Sequence, residues 1–563
     1  MAPTKAGPTA TDEVRTIDSE IEQHEQEILA LKTRRNTYAP ISRLPPELIS
    51  RIFECYKKVQ SIPTQFQYSH PLRWIRCTHV CRLWRTIALD SPLLWADLDL
   101  KYLAWVKESL IRSKMAALKV SIHLGGLPED NPTIELAKDI IRQGSRLKDV
   151  IIKAASRAHD SIEDILRSLP RSMPNLQSLE ITHVSRSTQN VCLLPRDCIC
   201  EAEKLQRLRI TGCAIDWVQH LSNKRALTVL RLDKVTNTST ISMPQFLQCL
   251  AEMGSLQLLE LKNAFPTPVP HHTSVQSRRI PLPSLRLLRL WECPPETLGS
   301  FFKHIALNNK VVMDIKSEGA DESRFTTFLE EMSSALSLRG PDSPIRSLRI
   351  TTGTLLQLSM IGYSYDSPEV DEETTALAEA RDRIPIFLLQ LSFSSLSSTN
   401  PSALWINACA TLPFSCVRSV YWNSLPLISA ETVALSFGTL QNLDSLTFCR
   451  GHYDFDVDGI LLTTLPSPEG TCPTFAFPKL RSLTLNDFIL YGDTLTKLIG
   501  LLIQRYEGGS EVETLVIQLC YGVEGKEIGL LREVVTDVAW DGIVLRLSSD
   551  SELTESGSDS DFD

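Results

Sequence analysis

A recurring pattern of apolar residues is the feature that most restricts how this chain can fold. Twelve segments carry apolar residues at their first, fourth and sixth positions, as in Leu176-Gln-Ser-Leu-Glu-Ile181. The segments begin at Leu147, Leu176, Leu205, Leu227, Leu256, Leu285, Ile345, Leu388, Val417, Leu443, Leu480 and Val512, and weaker copies begin at Ala117, Lys310 and Gly542. Apolar residues at helical spacing separate them, so the pattern predicts stacked units of a strand followed by a helix.

The spacing of the segments indicates the kind of repeat. Successive segments start 22 to 43 residues apart, close to or above the roughly 20 to 29 residues of leucine-rich repeats. The sequence therefore predicts an α/β solenoid, a leucine-rich-repeat horseshoe, over residues 117–547. Cys213, Cys293 and Cys520 stand at the ninth position of their units, where burial explains a thiol better than chemistry does. Insertions at 266–283 and 363–383 are predicted to be loops.

The two ends of the chain differ from this repeat. Residues 1–13 and the acidic residues 548–563 are predicted to be disordered tails. Residues 14–38 are predicted to form an amphipathic helix, because seam residues alternate in steps of three and four. These residues are Val14, Ile17, Ile21, His24, Ile28, Leu31, Arg35 and Tyr38. Such a seam either forms a short coiled coil that mediates dimerisation or packs on the next domain.

Residues 41–95 form a block of different character. Pro45 and Pro46 favour a helix start, where a missing N–H is harmless, and Glu47 faces the positive end of the helix dipole. One apolar stripe consists of Leu44, Leu48, Ile52 and Phe53, and a second segment places Ile75, Val80, Leu83, Trp84 and Ile87 at near-helical spacing. A helical module of about 55 residues is too short to be robust alone, so it is predicted to need a partner protein or the adjoining repeats.

This block resembles an F-box, whose pattern begins with Leu-Pro-x-Glu-Leu and an Ile, continues to Val-Cys-x-x-Trp and closes with Leu-Trp. The matching residues are Leu44, Pro45, Glu47, Leu48, Ile52, Val80, Cys81, Trp84, Leu94 and Trp95. The form Leu-Pro-Pro-Glu-Leu-Ile with the downstream Cys-Arg-Leu-Trp-Arg is especially similar to the F-box proteins of basidiomycete fungi. Residues 56–72 make the link between the two halves longer than in a compact F-box.

The resemblance implies that the block docks on a Skp-type adaptor and, through it, on a cullin-RING ligase. The adaptor-binding residues it implies are Leu44, Pro45, Glu47, Leu48, Ile52, Val80, Cys81 and Trp84. The chain would then be a non-catalytic, substrate-recognition subunit of an SCF-type (Skp–cullin–F-box) E3 ubiquitin ligase, whose repeats bind a protein target for degradation. The alternative is an adaptor-independent leucine-rich-repeat scaffold for protein–protein interaction.

One face of the predicted solenoid offers a target-binding surface. Positions 3, 5 and 7 of each strand face the concave side, because side chains alternate across a strand. These positions hold Arg207, Arg209, Arg231, Arg289, Trp291 and Arg349, and Glu180 and Glu260 interrupt the set. Grouped arginines would bind an acidic or phosphorylated target segment through charge-assisted, bidentate hydrogen bonds. The same residues are also compatible with an ordinary solvated surface.

Composition and missing motifs restrict the remaining classes of function. No apolar run is long enough to span a bilayer and the first residues lack the apolar core of a signal peptide, so we expect an intracellular protein, cytoplasmic or nuclear. The net charge of -9 argues against nucleic-acid binding. Cys77 and Cys81 lack a second ligand pair for zinc, and the segment 454–459 lacks the position-12 carboxylate of a calcium loop. No catalytic motif is found, so neither a metal, a cofactor nor enzymatic activity is expected.

Overall fold

The structure, a computed structural model, describes most of the chain and divides it into two compact units. The described residues are 10–60, 72–125, 132–184, 191–238, 241–265, 279–319, 322–337, 344–352, 357–366, 385–393, 401–423, 430–438, 440–449, 460–461, 464–465, 474–490 and 492–545. The N-terminal unit comprises residues 1–186 and 197–205, and the C-terminal unit comprises 187–196 and 206–563. The predicted tail at 548–563, most of the two predicted loops and the segment 454–459 lie outside the described residues.

The N-terminal unit begins with helices. The first four in the described residues are α1 (Ala10–Thr37), α2 (Pro46–Gln60), α3 (Arg82–Asp90) and α4 (Leu103–Arg112). Short 3-10 segments at Pro40–Arg43, Arg73–His79 and Pro92–Trp95 connect them. The predicted boundary of the disordered tail at residue 13 is wrong, because α1 starts at Ala10. Asp12 and Glu13 in its first turn stabilise the positive end of the helix dipole.

Four parallel strands follow in the described part of this unit. They are β1 (Asp97–Asp99), β2 (Leu118–Leu124), β3 (Leu147–Ala155) and β4 (Ser178–Val184), paired in sequence order. Helices α5 (Pro132–Ile141) and α6 (His159–Arg167) lie after β2 and β3 along the chain. The strand ladder thus begins at Asp97 and not at the predicted residue 117, because a strand of three residues is too short to display the repeat pattern.

The C-terminal unit contains a longer ladder of thirteen strands in its described part. The strands are β5 (Arg207–Thr211), β6 (Val229–Asp233), β7 (Leu258–Lys262), β8 (Leu287–Cys293), β9 (Val312–Gly319), β10 (Ser347–Thr352), β11 (Gln357–Tyr363), β12 (Phe387–Phe393), β13 (Ser419–Asn423), β14 (Ser445–Cys449), β15 (Ser482–Asn486), β16 (Thr514–Gln518) and β17 (Asp537–Trp540). The weak copy predicted at Gly542 is wrong, since its strand ends at Trp540.

Helices alternate with most of these strands. They are α7 (Trp217–Leu221), α8 (Met243–Ala251), α9 (Pro295–His304), α10 (Glu322–Ser337), α11 (Pro401–Thr411), α12 (Ala430–Phe437), α13 (Asp493–Glu507) and α14 (Gly525–Val534). Ile280–Pro281 pairs in parallel with Ile305–Ala306, so the predicted loop at 266–283 ends in a short strand. Within the described ranges, every helix is too short or too polar to cross a bilayer.

The strand order departs from the sequence order between β9 and β13. β9 pairs in parallel with β12. β12 then pairs antiparallel with β11, and β11 pairs antiparallel with β10. β10 in turn pairs in parallel with β13. The predicted units at Ile345 and Leu388 are therefore not consecutive strand–helix repeats, because a second strand follows β10. Leu388 is half-buried whereas Phe387 and Leu389 are fully buried, so the predicted register is also shifted there.

The other repeat positions form the core as the pattern predicts. Leu205, Leu208 and Ile210, at the first, fourth and sixth positions of one unit, are fully buried. The ninth-position thiols are buried too, and desolvation raises the pKa of Cys293 to about 12 and that of Cys520 to about 11. Both thiols are therefore protonated at neutral pH, which fits a packing role.

Candidate functional site

The helices α2 and α3 enclose a small apolar core in the N-terminal unit. Its buried members are Ile49, Phe53, Trp74, Cys77, Ile87, Ala88, Leu94 and Trp95. The ring of Trp95 stacks on Trp105 at a centroid distance of 5.1 Å and meets Trp74 edge-on at 5.4 Å. Trp95 also donates from Nε1 to the carbonyl oxygen of Ala88 at 2.8 Å. Since Trp105 lies on α4, the core extends beyond the predicted boundary at residue 95.

Polar contacts hold the segments of this module in place. Lys57, near the end of α2, donates to the carbonyl oxygen of Leu94 at 2.8 Å and pairs with Asp97 at 2.7 Å. Cys81 is the N-cap of α3, and its Sγ accepts a hydrogen bond from the backbone N–H of Trp84 at 3.5 Å. Cys81, predicted to bind an adaptor, thus has a structural role in starting α3.

Two neighbouring apolar stripes run along α2, and they face different environments. Ile49 and Phe53 point into the core and are at most 2% exposed. The outer stripe consists of Leu48, Ile52, Cys55 and Val59, which are spaced four, three and four residues apart and are all exposed. The single stripe predicted from the sequence is therefore wrong for Phe53. Successive helical residues lie about 100° apart, so Ile52 and Phe53 cannot share one face.

The outer stripe belongs to a larger set of exposed apolar side chains on this module. Leu48 is 51% exposed, Ile52 43% and Val59 63%. The other members are Leu44, Val80 and Leu83, at 37%, 59% and 43%. The members on α2 lie along one side of that helix, and a stripe of uncovered apolar residues is typical of a protein-binding surface. We call the set Leu44, Leu48, Ile52, Cys55, Val59, Val80 and Leu83 the exposed apolar face.

The predicted adaptor-binding residues fall into two groups. Leu44, Leu48, Ile52 and Val80 lie on the exposed apolar face, and Pro45 and Glu47 are exposed at the start of α2. Trp84 is half-buried, with its ring 5.1 Å from that of Phe53, and contributes largely to the core. Cys55 and Val59 were not predicted, although their helical spacing from Leu48 signals them. Residues 43–86 carry eight basic and two acidic residues, so the surroundings of the face are basic.

A metal site has no support in the described residues. No group of three His, Cys, Asp or Glu side chains suited to holding a metal ion occurs among them. Cys77 is buried in the core, and desolvation raises the pKa of its thiol to about 11. Cys77 and Cys81 therefore act in packing and capping.

Comparison with known proteins agrees with this geometry. The family model described as F-box-like matches residues 41–101. The N-terminal module is an F-box-like domain. The match extends six residues beyond the predicted end at residue 95 and includes β1. It supports the F-box resemblance, while the leucine-rich repeats and the likeness to basidiomycete proteins stay predictions.

Two further comparisons do not bear on the function of this chain. No curated protein matches the sequence. Among solved structures, the chain is similar to the yeast Rad7 and Elc1 complex with 11% identity, covering 96% of this chain and 99% of that chain, at a TM-score of 0.23. The F-box-like domain and the strand ladder are the features of this chain that bear on its function.

The predicted target-binding arginines lie on four strands of the C-terminal unit. A charged row crosses five neighbouring strands, in which each residue is the register partner of the next: Arg209, Arg231, Glu260, Arg289 and Asp314. Glu260 lies 3.6 Å from Arg231 and 3.4 Å from Arg289, and Arg289 lies 3.5 Å from Asp314. Arg231 and Arg289 are thus already neutralised within the chain, whereas Arg209 is exposed.

Trp291 and Arg349, which were also predicted to bind the target, lie outside the charged row. Trp291 is half-buried between two cations, with Lys316 Nζ 4.8 Å and the guanidinium of Arg289 5.6 Å from its ring centroid. Arg349 lies on β10, four strand spacings from Arg289, or about 19 Å. The order of the repeat units in the sequence predicts only two strand spacings between Arg289 and Arg349. Arg349 instead contacts the ring of Tyr421 at 5.1 Å, apart from the charged row.

A second row on the same strands was missed by sequence reasoning. Val229, Leu258, Leu287 and Val312 are register partners and are half-buried, and Arg207 is the exposed partner at their end. This apolar row occupies the third position of each unit, two residues before the charged row, so it runs parallel to it on the same face. The third-position pattern could have revealed it. Together the two rows offer apolar contact area beside a line of charges.

Charge on this face is nearly balanced. The exposed and half-buried positions of β5 to β9 carry six basic residues and five acidic ones, namely Arg207, Arg209, Arg231, Lys262, Arg289 and Lys316 against Asp233, Glu260, Glu292, Asp314 and Glu318. Desolvation raises the pKa of Asp233 above its usual value, which weakens its negative charge further at low pH. The face therefore offers apolar contact area beside charges of both signs, with an excess of one basic residue.

Proposed function

We propose that this chain is a substrate-recognition subunit of an SCF-type E3 ubiquitin ligase. In this proposal the F-box-like domain binds a Skp-type adaptor and, through it, a cullin-RING assembly in the cytoplasm or nucleus. The leucine-rich repeats of the C-terminal unit bind a protein target. The chain performs no chemistry itself and accelerates ubiquitin transfer by holding the target close to the conjugating enzyme.

The exposed apolar face is the observation that supports adaptor binding best. Leu48 and Ile52 lie on a helix whose other apolar stripe already fills the core, so packing within the domain does not require them to be apolar. Leaving such side chains in water has no benefit for an isolated domain, whereas burying them against a partner is favourable. The basic surroundings of the face would also favour an acidic adaptor.

Target binding is proposed for the face formed by the charged row and the apolar row. Its apolar third-position residues and the exposed Arg209 at one end of the charged row favour an acidic, amphipathic segment of the target. Because Glu260 and Asp314 already neutralise two of the arginines, apolar contact would contribute more to affinity than charge alone.

The adaptor proposal is tested with the double variant Leu48→Ala/Ile52→Ala. Burying the exposed half of each side chain is worth about 1 kcal/mol, so the pair should contribute about 2 kcal/mol, or a roughly 30-fold change in Kd. The measurement is titration of a purified Skp-type adaptor. Ile111→Ala is the matched control, because Ile111 is 74% exposed and lies on α4, outside the exposed apolar face.

A footprint locates the interface independently of substitutions. Cys55 and Cys416 are the exposed free cysteines among the described residues. Alkylation followed by peptide mass spectrometry should show that the adaptor protects Cys55 and leaves Cys416 reactive. Unchanged alkylation of Cys55 together with wild-type affinity of the double variant would favour the alternative, a scaffold that works without an adaptor.

A further inference from the structure

The helix α1 carries an apolar seam that the rest of the described chain does not cover. α1 is 28 residues long and has no buried residue. Its apolar seam residues are between 49% and 64% exposed, namely Val14, Ile17, Ile21, Ile28 and Leu31, and Tyr38, directly after the helix, is 69% exposed. Helices in proteins are stabilised mainly by packing of their apolar face, so a helix of this length with an uncovered seam calls for a partner.

The described contacts of α1 with the F-box-like domain come from residues outside this seam. Where the end of α1 meets the domain, Thr33, Asn36 and Thr37 line a small cavity of 60 Å³ together with residues of α3. Ser42 Oγ donates to the carbonyl oxygen of Asn36 at 2.8 Å. In a heptad with Val14 at position a, these three residues of α1 occupy positions f, b and c, which point away from the seam. The seam therefore remains available to another polypeptide.

Charge is distributed very unevenly along α1. Residues 10–27 contain seven acidic residues and one Arg, whereas residues 28–37 contain three basic residues and no acidic one. A second copy lying antiparallel would place the basic end of each helix beside the acidic end of the other. A parallel copy would place acidic beside acidic. The sequence of α1 is thus complementary to itself in one orientation.

We propose that α1 pairs with α1 of a second copy of this chain as an antiparallel coiled coil. The layers would bring Val14 opposite Tyr38, Ile17 opposite Arg35, Ile21 opposite Leu31 and His24 opposite Ile28, each occurring twice through the two-fold axis. Every layer then contains at least one apolar side chain. This inference does not rest on the proposed ligase function.

The flanking charges select the orientation. In the antiparallel pair, Asp18 faces Lys32 and Glu20 faces Arg34. The two-fold axis repeats both contacts, which gives four attractive contacts. Glu25 faces Glu25 of the second copy and Glu27 faces Glu27 of the second copy, which gives two repulsive contacts. In a parallel pair, Glu13 would face Asp18 and Glu20 would face Glu25, which gives four repulsive contacts and leaves two attractive ones between Glu27 and Lys32. The antiparallel arrangement is therefore favoured.

Such pairing would hold two F-box-like domains at opposite ends of a rod. The seam within α1, from Val14 to Arg35, covers 22 residues, or about 33 Å of helix. Each end of the rod would thus carry one F-box-like domain, so a partner bound to one domain would not exclude a partner bound to the other.

The test is sedimentation equilibrium of the full-length chain over a concentration series. The wild type is expected to approach twice its 63.1 kDa mass. Ile21→Glu/Ile28→Glu places charges in the seam and should yield a monomer, whereas Gln26→Glu, at the outward position f, should remain dimeric. A monomeric wild type, or a dimer unaffected by the seam variant, would refute the proposal.

Orientation is tested by moving charges. Asp18→Lys/Glu20→Lys should raise the dimer dissociation constant by at least about tenfold, because all four attractive contacts become repulsive. Adding Lys32→Glu/Arg34→Glu to the same chain should restore dimerisation. In a parallel dimer the first variant would strengthen pairing, so a lower dissociation constant for Asp18→Lys/Glu20→Lys overturns the antiparallel assignment.

Discussion

Arg505 on α13 should be among the most sensitive positions of the C-terminal unit. Its side chain is fully buried. Nη1 donates to the carbonyl oxygens of Leu461 and Ala476, both at 2.9 Å, Nη2 donates to that of Phe477 at 2.8 Å, and Nε donates to that of Ser510 at 3.2 Å. Desolvation lowers the pKa of the guanidinium to about 10, so it is still charged at neutral pH. One cation thus ties two distant segments to α13.

The substitution Arg505→Met keeps the aliphatic stem and removes all four donors. Leaving four carbonyl oxygens without a donor costs about 1.5 kcal/mol each, or about 6 kcal/mol in total. Removing the buried charge recovers roughly 3 kcal/mol of its desolvation cost. The net loss should be about 3 kcal/mol, which corresponds to a fall of about 4 °C in the melting temperature of a unit of this size.

Differential scanning calorimetry of the full-length chain measures this loss. Lys497→Met is the matched control, because Lys497 is an exposed cation on the same helix. The control should melt within about 1 °C of the wild type, as surface substitutions do. If Arg505→Met also melts within 1 °C of the wild type, the carbonyl network does not stabilise the unit and the reasoning is wrong.

Two further predictions concern pH and target binding. Burial, and secondarily Lys101, lowers the pKa of His123 below its usual 6.5, so the unfolded chain takes up this proton before the native chain does. Stability should therefore fall as pH drops below about 6.5. His123→Asn should make the melting temperature, measured by calorimetry, less dependent on pH in this range. An unchanged pH dependence would show that His123 does not cause the loss of stability. Glu260→Gln removes the ion-pair partner of Arg231 and one of the two partners of Arg289, so it should tighten binding of a polyglutamate peptide severalfold in fluorescence anisotropy. Arg209→Glu should weaken the same binding. Equal affinities for the wild type and the two variants would show that the charged row does not bind acidic segments.

The sequence predicted those parts of the fold that short, local patterns encode. Leu205, Leu208 and Ile210 are buried because their spacing matches a strand with one face inward, and the same holds for most units. The reversal at β10 to β12 could not be predicted, since periodicity records which residues are buried and not which strand lies beside them. Gly362, whose Cβ would collide with the ring of Phe387 on the paired strand, is the local sign of that close approach.

For the candidate sites too, the sequence predicted local features but not the contacts between strands. Leu44, Leu48, Ile52 and Val80 were predicted to be available to a partner, and they are exposed. The partners of Arg231 and Arg289 were not predicted, because ion pairs between strands depend on register across the ladder and not on neighbours in the chain. Glu260 was recognised only as an interruption among arginines. Its position between two of them shows that it neutralises them.

The reversed strands have a consequence for how the chain acquires its structure during synthesis. β9 ends at Gly319, but its ladder neighbour β12 begins at Phe387. At roughly 5–20 residues per second, a ribosome needs on the order of 4 to 14 s to make the intervening residues. Throughout that interval the hydrogen-bonding edge of β9 has no native neighbour, and such edges pair readily with other chains. Nascent chains stalled in this window should therefore be those that chaperones engage most.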